Sequence, residues 1–240
     1  MFKKNTNSTI TTYLKGFTLA EVLITLAIIG IVAAMTIPSL LNNVSNAREK
    51  AALNNAFSFL NDVILSLASD GGGSIKDLYP GDGLGSEAFK NAIASKLNTT
   101  KICSGTSATF GGTGSGGQAE GCWHAINKWY NYNGTARSTS FDNPGMILSN
   151  GYLIEVGLDK TDCSAVKGSY TRCGGIIIDI NGFAPPNTLG KDIFAFSVLE
   201  NRILPEGALG YNDPATTCVS GSANAANTGS GCTYKILYEN

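Results

Sequence analysis

The sequence predicts an α+β protein in which one long N-terminal helix packs on a small antiparallel β-sheet. Three observations predict this class. An apolar segment fills residues 17–41, apolar residues then recur with a helical period to about residue 70, and short β-branched segments separated by turns follow. A helical pattern followed by strand patterns in one chain is typical of segregated α and β layers.

Composition excludes several classes of protein. Charged residues make up 15% of the chain and its 29 glycines show no three-residue period, so collagen, coiled coil and full disorder do not fit. The net charge of −1 gives no overall basic field, and nucleic-acid binding is not evident. His124 is the single histidine, and no nucleophile elbow or phosphate loop is present, so we expect no enzyme.

Residues 17–41 have the length of a membrane-spanning helix. Their only charged residue is Glu21, and about 20 apolar residues suffice to cross a bilayer. Lys3, Lys4 and Lys15 precede them, which predicts a cytoplasmic N-terminus and an outside C-terminal part. A conventional signal peptide is the alternative, but the apolar run continues past its only loose cleavage site.

The stretch from Gly30 to Pro38 is the weakest part of this helix. Pro38 cannot donate to the carbonyl of Ala34, and glycine lowers helix stability. A passive kink is one interpretation of this stretch.

Beyond Pro38 the pattern becomes that of an amphipathic helix. Apolar residues recur at spacings of four and three along one stripe: Leu53, Phe57, Leu60, Ile64 and Leu67. Gly71–Gly73 predicts the end of the helix near Ser69. A second, short helix is predicted over 86–97, with Ser86 as a possible cap.

Four strands are predicted in the remainder of the chain. Residues 146–148 and 152–156 flank Asn150-Gly151, a strong hairpin signal. Residues 175–180 and 192–198 are the other two. With short connections they form a small antiparallel sheet whose apolar face covers the stripe of the long helix.

Six cysteines predict three disulfides and an oxidising compartment, because their number is even and no Cys-x-x-Cys pair suggests zinc. Of the 15 possible connectivities we expect the sequential one, in which each bond closes a short loop. The pairs are then Cys103–Cys122, Cys163–Cys173 and Cys218–Cys232. The glycine-rich segment 104–121 is predicted as a surface loop held by the first pair.

An aromatic cluster surrounds His124 in the sequence and consists of Trp123, Trp129, Tyr130 and Tyr132. Such a cluster can form a ligand platform, but packing within a core is the commoner role.

The segment 15–23, KGFTLAEVL, resembles the processing site of type IV prepilins and of the pseudopilins of type II secretion. The resemblance implies that a membrane peptidase cuts after Gly16 and that Phe17 becomes the N-methylated first residue. Glu21 is then the fifth mature residue, and Pro38 matches a position where the family commonly has proline. The resemblance also implies that the stretch from Gly30 to Pro38 bends or melts when subunits pack into a filament, and a passive kink is the alternative.

The resemblance also implies a pilin-like organisation. Residues 1–16 are then a cytoplasmic leader, 17–41 the transmembrane and assembly half of the long helix, and 42–70 its amphipathic half. Residues 71–240 form a disulfide-bearing globular domain.

Glu21 has a physical role that fits this organisation. A carboxylate in an apolar helix is costly, and cleavage creates a cationic α-amino group at Phe17. In a staggered neighbouring helix that amine can meet Glu21, which neutralises both charges and sets the axial register between subunits.

The expected function is therefore a structural subunit of a type IV pilus or a type II secretion pseudopilus. Expected partners are itself or related pilins, prepilin peptidase, an inner-membrane assembly platform and, before assembly, the lipid bilayer. The expected location is the bacterial cytoplasmic membrane, crossed once with the C-terminal domain outside, and then a filament in the periplasm or at the cell surface. The alternative is a membrane-anchored or secreted binding module with no filament role.

No cofactor is expected, with calcium as a weak possibility. Asp179, Asn181 and Asp192 offer oxygen ligands close in sequence, and some pseudopilins bind calcium in a C-terminal loop. Their spacing does not match an EF-hand, and Asn181-Gly182 is by itself a good turn, the interpretation we favour.

Overall fold

The computed structural model describes residues 16–80, 85–105, 121–124, 127–137 and 143–239, and at positions 38, 39 and 41–46 it describes the backbone alone. Its helices are α1 (Leu19–Asp70), α2 (Gly85–Ser95), α3 (Pro214–Thr217) and α4 (Cys232–Tyr238). Its strands are β1 (Thr99–Cys103), β2 (Gly145–Leu148), β3 (Leu153–Leu158), β4 (Ala165–Lys167), β5 (Tyr170–Arg172), β6 (Gly174–Asp179), β7 (Ile193–Val198) and β8 (Ile203–Pro205). The chain divides into two compact units, Met1–Asn46 and Ala47–Asn240, with the boundary inside α1.

The long helix and the α+β class are confirmed. α1 covers 52 residues and ends at the predicted glycine run. The Gly73 N–H donates to the carbonyl of Ala68 over 2.7 Å, and Gly73 has a φ of 113°, a conformation that favours glycine. The helix therefore stops where the chain can turn left-handed at little cost.

Six strands form one antiparallel sheet in the order β1-β2-β3-β6-β7-β8. The prediction of four strands was wrong in number, because β1 and β8 add one strand at each edge. β1 has the largely polar sequence TTKIC and β8 has only three residues, so neither has a strong strand pattern. A separate hairpin, β4–β5, is inserted between β3 and β6.

One face of this sheet packs against the part of α1 that belongs to the second unit. The predicted stripe lies in this core, with Phe57 only partly buried: Leu53, Phe57, Leu60, Ile64 and Leu67. The Phe57 ring stacks on that of Phe196, with centroids 5.9 Å apart. Asn61 accepts the Ile203 N–H at 3.2 Å, which ties the helix to the edge strand.

The opposite face of the sheet is also covered, which the sequence prediction did not include. A second core forms there from Trp123, Trp129, Leu153, Ile177, Leu189, Ile193 and Ala195. Ile177 faces this core while its neighbours Ile176 and Ile178 lie in the α1 core, as alternation along a strand requires. Every residue of β6 is therefore buried.

Three disulfides join the cysteines in the predicted sequential pairs: Cys103–Cys122, Cys163–Cys173 and Cys218–Cys232. The predicted loop 104–121 lies mostly outside the described residues. Ser86 lies inside α2 and not at its cap, and its hydroxyl accepts the Leu158 N–H at 2.9 Å. This bond fastens α2 to the end of β3.

The C-terminal tail docks on the sheet through one side-chain and one backbone hydrogen bond. The Ala195 N–H donates to Thr233 Oγ1 over 3.1 Å, and the Tyr234 N–H donates to the Glu206 carbonyl over 3.0 Å. The Cys218–Cys232 disulfide closes the loop between α3 and α4. The tail therefore has fixed contacts with β7 and with the end of β8.

Candidate functional site

Thr18 and Glu21 cap the N-terminus of α1 reciprocally. The Thr18 N–H and hydroxyl each donate to Oε2 of Glu21 over 2.8 Å, and Thr18 Oγ1 accepts the Glu21 N–H at 3.3 Å. This arrangement is a capping box. Thr18 is absent from the residues that the sequence predicts to be functional, although Thr-x-x-Glu before an apolar run is a known signal. Both bonds from Thr18 end on Oε2, so Oε1 takes no part in the capping box.

The apolar helix that follows this cap is uncovered. Leu19–Ile37 has the length and hydropathy of a membrane-spanning helix, and none of it is buried within the chain. Leu26 is 60% exposed and Ile29 is 63% exposed. Exposing apolar side chains of this size to water is unfavourable in free energy. The segment is consistent with single-pass membrane anchoring.

The predicted processing site lies just before α1. Gly16 and Phe17 precede the first helical residue, and Phe17 is 88% exposed. A Cβ added at Gly16 would have no heavy atom within 4 Å. Packing among the described residues therefore gives no reason for glycine at position 16.

The predicted weak stretch is helical in the structure. α1 is continuous through Gly30 and Pro38, and the side chain of Pro38 lies outside the described residues. A Cβ at Gly30 would also have no heavy atom of the described residues within 4 Å, so packing among those residues does not require glycine there. Bending or melting during helix packing stays a prediction.

His124 and Asp179 form a buried pair in the globular unit. His124 Nε2 lies 2.7 Å from Asp179 Oδ2, and the two residues are 4% and 0% exposed. Burial raises the pKa of Asp179 to about 6, and nearby Asp192 adds to the rise while the His124 hydrogen bond opposes it. Within the aromatic cluster Trp123 and Trp129 pack in the second core, whereas Tyr130 is partly exposed.

The three calcium candidates make hydrogen bonds within their own turns. Asp179 Oδ1 accepts the Asn181 N–H at 3.0 Å, and Asn181 Nδ2 donates to the Pro185 carbonyl over 3.3 Å. Asp192 accepts two successive backbone N–H groups, at 2.7 and 2.6 Å. In the described part of the chain no group of three His, Cys, Asp or Glu side chains is placed to hold a metal ion.

An uncovered apolar helix with one capping glutamate and an exposed glycine–phenylalanine bond before it is consistent with a membrane-anchored chain that has an accessible N-terminal junction. The family model of the prokaryotic N-terminal methylation motif matches residues 14–37. The chain therefore carries the type IV pilin and pseudopilin signature. No curated protein and no solved structure matches the chain significantly.

Proposed function

We propose that this chain is a structural subunit of a type IV pilus or a type II secretion pseudopilus and that it polymerises through α1. One observation carries the proposal: the methylation motif at 14–37 coincides with the uncovered apolar segment Leu19–Ile37. An apolar helix with no cover in its own chain needs lipid or other helices around it. A membrane supplies the first environment, and a bundle of identical helices supplies the second.

Before assembly the subunit crosses the bacterial cytoplasmic membrane once. Lys3, Lys4 and Lys15 keep the leader in the cytoplasm, and the disulfide-bearing domain is outside, where disulfides persist. The assembly platform then moves subunits from the bilayer into the filament, in the periplasm or at the cell surface.

Prepilin peptidase cuts the bond between Gly16 and Phe17. The bond precedes α1 and Phe17 is exposed, so an enzyme can reach it without unfolding a helix. Packing among the described residues does not require a glycine at position 16, and recognition by the peptidase accounts for that residue in this proposal.

Register between subunits comes from Glu21 and the new amine at Phe17 of a neighbour. The Glu21 carboxylate receives both Thr18 bonds on Oε2, so a neighbour's ammonium group can approach Oε1 while the capping box persists. Pairing the two charges lowers the free energy of the apolar bundle, because each charge alone is unfavourable there.

Filament formation by a Glu21→Ala variant tests the proposal. The variant and wild type are produced in the native cells, and subunits in the sheared filament fraction are counted. We expect Glu21→Ala to abolish or strongly reduce incorporation, whereas Asp62→Ala, which removes an exposed carboxylate further along the same helix, leaves it intact. Undiminished filaments from Glu21→Ala would show that the register role is wrong.

A further inference from the structure

A cavity of about 340 Å³ lies in the globular unit. Its walls come from the β4–β5 hairpin, from residues 127–137, and from the chain after β8. The polar side chains that line the cavity include Arg137, Lys167, Arg172, Glu206, Thr228 and Ser230. Ile177, Leu189 and Ala195 of the second core form its apolar part.

Cations outnumber carboxylates around this cavity. Arg137, Lys167 and Arg172 line it, and Glu206 is the one carboxylate among the described lining residues. Asp159 does not line the cavity, but its carboxylate pairs with Arg172, with Oδ2 2.7 Å from Arg172 Nε. Even with both carboxylates ionised, the five groups carry a net positive charge.

The arginines are held in place by the fold. Arg172 is 1% exposed, and its Nη1 lies 3.1 Å from Ser197 Oγ and 3.4 Å from Glu206 Oε1. Arg137 donates to Asn131 over 3.0 Å, and its guanidinium carbon lies 4.5 Å from the centre of the Trp129 ring. A site whose cations are already positioned loses little side-chain entropy when an anion binds.

Burial acts on the Arg137 guanidinium in the direction that a bound anion would relieve. Burial lowers the pKa of Arg137, which means that its charged form is costly where it lies. Burial also raises the pKa of Glu206, although Arg172 and Asn212 oppose the rise. Both pKa shifts have the same physical origin, because the cavity wall shields these ionisable groups from water.

Neutral hydrogen-bonding groups complete the wall. Thr228 Oγ1 and Ser230 Oγ lie 2.9 Å apart, so one hydroxyl donates to the other and the second can donate elsewhere. Both residues lie in the loop that the Cys218–Cys232 disulfide closes. Their positions are therefore set by a covalent constraint.

We propose that this cavity binds a small hydrophilic oxyanion, a carboxylate or a phosphate, through Arg137, Lys167 and Arg172, with the Thr228 and Ser230 hydroxyls facing its neutral part. Arginine and lysine are the side chains that recognise such groups most strongly. The apolar floor and the cavity volume limit the ligand to a small molecule or to the end of a chain.

Calorimetric titration of the full chain in a non-ionic detergent tests this proposal. Sodium phosphate is the probe in one arm and sodium gluconate, a carboxylate with hydroxyl groups, in the other, with sodium chloride at equal ionic strength as the blank. Saturable binding in the phosphate arm identifies a phosphate ligand, and binding in the gluconate arm identifies a carboxylate. No saturable binding in either arm overturns the proposal.

Variants connect binding to this cavity. Arg137→Gln and Lys167→Gln are each expected to weaken binding about tenfold, the usual loss for one charge-assisted hydrogen bond. The Lys167 ammonium lies 5.4 Å from the centre of the Tyr211 ring, and the Lys191 ammonium lies 5.9 Å from that of Tyr132. Lys191→Gln is therefore the matched control, because Lys191 does not line the cavity. An equal loss in Lys191→Gln would mean unspecific attraction and would overturn the proposal.

Glu206→Gln is expected to strengthen binding of the anion, whereas Arg137→Gln and Lys167→Gln weaken it. It removes the carboxylate that competes with the ligand for Arg172 and keeps a similar volume. We expect binding to tighten several-fold in the folded variant, an effect that loss of structure cannot produce. Weaker or unchanged binding in a variant that unfolds at the wild-type temperature contradicts the proposal.

Discussion

The Thr18 hydroxyl lies 2.8 Å from Oε2 of Glu21, so the one acidic residue of the apolar segment already has a hydrogen-bond partner in its own chain. This pair starts α1 and fixes the orientation of the carboxylate at the N-terminus of the helix. The proposed assembly therefore needs only to add a contact to Glu21 and does not need to break the capping box.

Thr18→Val is expected to weaken the start of α1. Valine keeps the shape of threonine but removes the hydroxyl, and loss of an N-cap side chain costs about 1 kcal/mol. Amide hydrogen exchange at residues 20–22 in detergent micelles should become faster, while Thr18→Ser should stay close to wild type. Equal protection in all three proteins would contradict the role of the capping box.

Leu60→Ala is expected to lower the free energy of unfolding of the globular unit by about 2–5 kcal/mol, because it leaves a cavity between α1 and the sheet. Leu60 is 0% exposed, and Leu65 on the same helix is 53% exposed. Leu65→Ala is the matched control and should cost less than about 1 kcal/mol. Urea unfolding followed by the fluorescence of Trp123 and Trp129 measures both, and equal losses would contradict the assigned helix face.

Asp179 is expected to make stability fall as pH rises. Its folded pKa of about 6 lies above the unfolded value of 3.8, so its contribution is fully present below about pH 4 and is lost as pH rises through about 6. Besides burial, the two groups that act most directly on the pKa of Asp179 are His124, whose hydrogen bond favours the carboxylate, and Asp192, which opposes it. We therefore expect a loss of about 1–3 kcal/mol between pH 4 and pH 7.

Asp179→Asn should remove this pH dependence. The difference in free energy of unfolding between wild type and Asp179→Asn is measured across that range, with Asp62→Asn as the exposed control. A difference that stays constant with pH would show that the buried carboxyl does not titrate as described.

Replacing both Cys218 and Cys232 with serine is expected to lower the free energy of unfolding by about 3 kcal/mol, since the bond closes a loop of 14 residues. The segment between them should also become sensitive to limited proteolysis, because its ends are no longer joined. A double variant as stable and as resistant as wild type would show that the tail is held by its hydrogen bonds to β7 and β8 alone.

Strong local patterns predicted much of this fold. The stripe containing Leu53, Leu60 and Ile64 identified the packed helix face, and Asn150-Gly151 identified the hairpin between β2 and β3. Edge strand β1 escaped prediction because most of its side chains are exposed and polar. No local pattern distinguishes such a strand from a loop.

Long-range contacts escaped prediction for a different reason. His124 and Asp179 are 55 residues apart, and the pair forms only because the second face of the sheet is covered. The cavity beside Arg137 and Glu206 likewise depends on where the tail docks. Residues 175–178 did carry a usable signal, since Gly-Ile-Ile-Ile does not alternate with polar residues and thus indicates burial on both faces.

The mass and N-terminal sequence of the chain purified from its native cells test the central claim most directly. If α1 is a polymerisation helix exposed by a prepilin peptidase, the mature chain begins at Phe17 and carries one methyl group on its α-amine. A chain that keeps Met1, or that begins near Met35, would contradict the claim and would favour the anchored or secreted binding module.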